Sequence, residues 1–84
     1  MKPEDLPVDG RRFFLERHEY GYQVRRYHND NASAVEPTKQ QALEKAREFA
    51  RNASTKNKRA QVKVRKNGTF QRVEDYVDGK PVSD

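Results

Sequence analysis

Between Thr38 and Ala53 the chain reads TKQQALEKAREFARNA, and no other stretch limits the fold as much. Ala42, Leu43, Ala46, Phe49, Ala50 and Ala53 fall at i, i+1, i+4, i+7, i+8 and i+11, the period of one face of an α-helix. Thr38 stands where an N-cap is needed, and Gln41, three residues on, completes a capping box. Lys45, Glu48 and Arg51 take the opposite face, with Glu44–Arg47 and Glu48–Arg51 at a supportive i,i+3 spacing. The apolar stripe is narrow and rich in alanine, so each turn buries little. Such a helix must lie close against a sheet that supplies the bulk.

The flanking segments offer that sheet. RRFFLER (residues 11–17) is aromatic-rich and of strand length. YQVRRY (22–27) alternates, with Tyr22 and Val24 on one face and Gln23 and Arg25 on the other. HEYG (18–21) joins the two as a turn, with Gly21 free to take a positive φ. ASAVEP (32–37) gives a short third strand, with Val35 as its apolar contact and Pro37 ending it. Beyond the helix, AQVKVR (60–65) sets Val62 and Val64 against Lys63 and Arg65. TFQRVEDY (69–76) returns after a KNG turn.

The length of that last turn decides where Phe70 lies, because a one-residue slip exchanges the faces of a strand. A two-residue loop pairs Arg65 with Phe70 and leaves the ring on the charged side. A three-residue turn with a Gly68 bulge pairs Val64 with Phe70 and buries both, and is the expected choice. The pattern is then α+β: a small antiparallel sheet, β-β-(β)-α-β-β, with one helix packed on one face. Its expected core is Leu15, Tyr22, Val24, Val35, Ala42, Leu43, Ala46, Phe49, Ala50, Val62, Val64 and Phe70. Residues 1–10 read as a flexible acidic lead-in, 11–77 as the single domain and 78–84 as a flexible tail.

A chain of 84 residues forms one domain that buries only about 60–65% of its unfolded surface. Charged residues make up 37% and hydrophobic residues 32%, near the composition of disordered chains, but the periodic apolar runs argue for a folded centre. So modest a core only just offsets chain entropy, which leaves homodimerisation open. With no cysteine there are no disulfides, thiolate metal sites or cysteine nucleophiles, and a reducing compartment is suited. The first ten residues lack the apolar run of a signal peptide, and no segment approaches the roughly 18 apolar residues of a membrane helix. The expectation is a cytoplasmic protein with no membrane contact. Sequons at Asn31, Asn52 and Asn67 then read as loop and cap chemistry.

Three short motifs occur in order: GYQV at 21–24, TKQQALEKAREFA at 38–50 and VRKNGTF at 64–70. In this the chain resembles the small bacterial DUF2188 family, whose members read Gly-Trp-x-Val, then Thr-x-x-x-Ala with further helical alanines, then Asp-Gly-x-Ile. The resemblance spans roughly residues 13–76. Tyr22 stands where the family has Trp, Asn67 where it has Asp, and Phe70 where it has Ile. The family carries no assigned activity, so the resemblance supports the fold and implies no catalytic residues. Residues 21–50 are also similar to the sheet-plus-helix arm-binding domains of phage-type integrases and to plant AP2 domains. Those bind DNA with the sheet face away from the helix.

Charge is distributed unevenly. Residues 53–72 hold seven cations and no acid, whereas residues 1–10 carry −2 and residues 73–84 carry −3. Alternation sends Arg25, Lys63 and Arg65 to the face away from the helix. Lys56, Lys58, Arg59 and Lys66 flank them, a pattern able to follow phosphates. Lysine and arginine on exposed strands also guard edges against aggregation, which is the plainer account. Phe14, Tyr20, Tyr27 and Tyr76 are candidates for a ring on which a base could stack, although covering the core or the open side of a small sheet is the plainer account of most of them. His18 and His28, with Asp30 near the latter, fall short of the three or four convergent ligands a metal needs. No phosphate loop, paired core carboxylates or nucleophile beside a base is visible, so neither an enzyme nor a cofactor is expected. The expectation is a small non-enzymatic module that contacts DNA or RNA. The alternative is a protein-interaction or regulatory module.

Overall fold

The computed structural model describes Val8, residues 10–66 and residues 68–82, without the side chains of Gln71 and Arg72. In chain order the elements are β1 (Arg12–His18), β2 (Gly21–Arg26), β3 (Ala34–Glu36), α1 (Lys39–Ala53), β4 (Arg59–Lys66), β5 (Thr69–Val77) and β6 (Lys80–Pro81). The strands form one sheet in the order β3-β2-β1-β4-β5-β6. Helix α1 lies across one face, touching β1 to β5. The α+β architecture with one helix is thus present. The sheet is mixed rather than wholly antiparallel, because β1 and β4 run parallel, with Phe13 beside Val62 and Leu15 beside Val64. The helix causes this. It carries the chain from edge strand β3 back over β2 and β1, so β4 enters in the direction of β1.

Under the helix, Phe13, Leu15, Val24, Ala60, Val62, Val64 and Tyr76 meet Ala42, Ala46 and Ala50. Tyr22, Ala34, Leu43, Phe49 and Ala53 pack at the margin. The alanines let α1 sit low on the sheet, and Phe49 stacks on Phe13 at 5.9 Å between centroids. Thr38 caps the helix as expected, its hydroxyl accepting from the Gln41 N–H at 3.2 Å.

Two expected core residues lie elsewhere. Val35 is 43% exposed and pairs with Gln23, so it shares the face away from α1, and Ala34 points inward instead. Phe70 is 47% exposed. Lys66 pairs with Thr69, so the tighter hairpin forms and Arg65 pairs with Phe70. One step along β4, however, Val64 faces Arg72, so β5 holds one extra residue there. That bulge restores the alternation and returns Glu74 and Tyr76 to the helix side.

At the far end of α1, Ser54 is fully buried. Its N–H donates to the Ala50 carbonyl, and its hydroxyl donates to the Arg51 carbonyl and accepts from the Gly79 N–H at 3.0 Å. Asp78 and Gly79, at φ 54° and 77°, make the two-residue turn between β5 and β6. A strand therefore lies within residues 78–84.

Candidate functional site

Alternation gives the sheet two unlike faces. The face away from α1 carries Phe14 and Glu16 from β1, and Gln23 and Arg25 from β2. From the other half come Arg59, Gln61, Lys63 and Arg65 of β4, opposite Val77, Asp75, Val73 and Phe70 of β5.

A row of three rings crosses this face. Phe14 lies between Tyr27, 6.1 Å away, and Phe70, stacked at 5.9 Å with planes 25° apart. Cations stand over each ring. Arg12 is 5.2 Å from the Tyr27 centroid and Arg25 is 5.2 Å from that of Phe14. Lys63 and Arg65 are 5.0 and 5.7 Å from that of Phe70. Contacts of this kind contribute about 0.5–1 kcal/mol each at exposed sites. Enclosed on both sides, Phe14 is only 8% exposed, so the open ring of the row is Phe70.

Glu16 lies among the cations. Its carboxylate accepts from Gln23 at 3.0 Å, from Arg25 at 3.2 and 3.3 Å and from Arg65 at 3.4 Å. Burial, the largest influence, pushes its pKa up. Hydrogen bonds from Arg25 and Gln23, the Arg25 charge and the Arg65 contact together outweigh it and hold the carboxyl below its ordinary value. Arg25 is raised in turn, first by its hydrogen bond to Glu16. Asp75 plays the same part further along, accepting from Arg59 at 2.9 Å and Gln61 at 2.8 Å. A tract free of acid along the chain is therefore supplied with carboxylates from neighbouring strands.

The seven candidate cations do not converge. Arg25, Lys63 and Arg65 share the ringed face, and Arg59 joins them at its Asp75 end. Lys56 and Lys58 are exposed in the connector ahead of β4, whereas Lys66 ends that strand. The two groups stand apart by the length of an eight-residue strand, roughly 25 Å. Of the other rings, Tyr20 is 75% exposed in the β1–β2 turn, and Tyr76 is buried in the core. The His18 ring accepts from the Tyr20 N–H, and His28 packs on Tyr27 at 3.9 Å. No group of three or more metal-ligating side chains occurs among the described residues. No helix among them is long and apolar enough to cross a membrane.

Sequence reasoning missed Phe70 and Glu16 on this face. Glu16 was within reach, since it stands next to Leu15, a residue of the expected core, and alternation sends it to the opposite face. Phe70 turns on the length of the β4–β5 loop, and the two-residue form, which puts the ring on the charged face, is the one present.

Fold and face together define a small α+β module with one dry face and one cationic, ring-bearing face. The chain belongs to DUF2188, the family described as an uncharacterized protein conserved in bacteria, whose model matches residues 14–76. Neither a curated protein nor a solved structure matches it.

Proposed function

We propose that this chain is a non-enzymatic binding module that takes nucleic acid, DNA or RNA, on the helix-free face. The observation that carries this is Phe70, a half-exposed ring backed by Phe14 and flanked by Lys63 and Arg65. A base stacked on such a ring is worth about 1–3 kcal/mol, and neighbouring cations hold the adjoining phosphates. Glu16 claims Arg25 and shares Arg65, so Lys63 and Arg65 make the main phosphate contacts. Lys56 and Lys58 extend the path beyond Arg59.

Anisotropy titrations of labelled single-stranded DNA and RNA between about 50 and 200 mM salt test this. The wild type is expected to bind at low salt and weaken steeply as salt rises. Phe70→Ala is expected to cost about tenfold, and Lys63→Glu with Arg65→Glu to abolish binding. Binding that is absent at low salt, or indifferent to salt, sinks the reading.

A second reading rests on Val73, which is 50% exposed and neighbours Phe70 on the same face of β5. Two open apolar side chains also suit a protein partner or a second copy of the chain. That reading requires a complex in sedimentation that survives the Lys63 and Arg65 reversals and is lost in Phe70→Ala.

A further inference from the structure

The ring row of the helix-free face runs one member beyond Tyr27. The His28 ring lies against that of Tyr27, so His28, Tyr27, Phe14 and Phe70 follow one another in steps of 3.9, 6.1 and 5.9 Å. The two inner rings are covered. Phe14 is 8% exposed, and Tyr27 is half-buried with the Arg12 guanidinium 5.2 Å from its centroid. The two end rings are open, Phe70 on β5 and His28 in the exposed turn after β2. That turn is closed by the Asn29 N–H on the Arg26 carbonyl at 3.0 Å and holds His28 at a left-handed φ of 68°. Glycine would take this conformation without cost, yet the position carries a ring.

Between the open ends lie Arg12 and Lys63, the latter being the β4 neighbour of Phe14. Each stands over a ring and makes no ion pair among the described residues, whereas Arg25 and Arg65 are held by Glu16. The Arg12 Nε is buried without a hydrogen bond, so this guanidinium is short of acceptors. Two open rings with cations between them suit a flexible chain that carries flat groups joined by acidic links.

We infer that His28 is a second base-stacking residue, and that the ligand is a single strand reaching from Phe70 to His28 with its intervening phosphates over Lys63 and Arg12. The inference rests on the nucleic-acid reading of this face and narrows it to single strands on the order of four nucleotides or longer. A duplex, whose bases are already stacked on one another, offers no open face to either ring.

Competition anisotropy at about 50 mM salt tests it, with thymidine oligonucleotides of increasing length and a hairpin duplex of matched phosphate count. Affinity is expected to rise about tenfold or more between strands of roughly two and six residues, as a second stacked base would give, and far less beyond. The duplex is expected to bind about tenfold more weakly than the longer strand. His28→Asn removes the ring and still suits a left-handed backbone. It should weaken the longer strand about tenfold, leave the shorter within about twofold, and leave the melting temperature within about 4 °C. His28→Phe restores a ring and should bind within about threefold of the wild type. The inference is overturned, with binding through Phe70 intact, if the longer strand binds His28→Asn as tightly as the wild type. An equal loss in His28→Phe, or a duplex bound as tightly as the strand, overturns it too. If the wild type binds no strand at all, the nucleic-acid reading fails and takes this inference with it.

Discussion

Glu16 holds a carboxylate among Gln23, Arg25 and Arg65 on a half-buried surface, so its charge supports both the fold and the arrangement of the face. Glu16→Gln is expected to cost about 1 kcal/mol at neutral pH. A carboxyl whose pKa is lower folded than unfolded adds stability above its unfolded pKa and loses it as pH falls through the folded value. The gap between wild type and Glu16→Gln should therefore be full at neutral pH and close in acid, as paired urea titrations would reveal. The same change takes a negative charge from beside Arg25 and Arg65, and low-salt affinity for nucleic acid should rise roughly threefold to tenfold. Gly21 is a residue of another kind. Its φ is +140°, and a Cβ there would lie 2.3 Å from the Glu36 carbonyl oxygen and 2.9 Å from the Pro37 Cα. Because the obstacles are backbone, Gly21→Ala should cost about 2–4 kcal/mol and pry β3 away from β2, measurable as lost amide protection at Val24, whose backbone faces β3.

At the scale of elements, α1 is held to the sheet by more than its alanines. Arg47 donates to Glu74 through two parallel bonds of 2.9 and 2.7 Å, and the Tyr76 hydroxyl adds a third at 3.3 Å. The Glu74 bond is the leading cause of a raised Arg47 pKa, while burial leads in raising that of Tyr76. Arg47→Lys keeps the charge and loses the fork, and should cost about 1 kcal/mol in denaturant titration. The helix and its cap were legible in the sequence because their period and Thr38 are local signals. The strands were legible by alternation except where two neighbouring side chains are both apolar, as in Phe13-Phe14. Phe13 faces the helix and Phe14 the rings, and both are buried. Burying Phe70 beside Val64 requires the three-residue turn, whereas the two-residue turn forms and the bulge beyond it returns Tyr76 to the core without moving Phe70. The Asp78-Gly79 turn carried a strong hairpin signal, masked by the shortness of the strand that follows. On the face, alternation correctly grouped Arg25, Lys63 and Arg65. Charge counted along the chain could not reveal Glu16 and Asp75, which arrive from other strands.

For the whole molecule, stability on the order of 4–13 kcal/mol is usual at this length. Leu15 lies at the crossing of β1, β2, β4 and the helix, paired with both Val24 and Val64. Leu15→Ala should cost about 3–5 kcal/mol and lower the melting midpoint by roughly 15 °C or more, read by calorimetry. The parallel pairing of β1 with β4 has a consequence for the order of events in folding. On one side of it, β1, β2 and β3 follow one another as neighbours, and on the other β4, β5 and β6 do the same. Each triplet can zip up from its own turns, whereas the join between them brings together residues such as Glu16 and Arg65, 49 apart in sequence. The chain is in effect two quickly made ribbons awaiting one slow stitch, with the helix as the thread that draws them edge to edge.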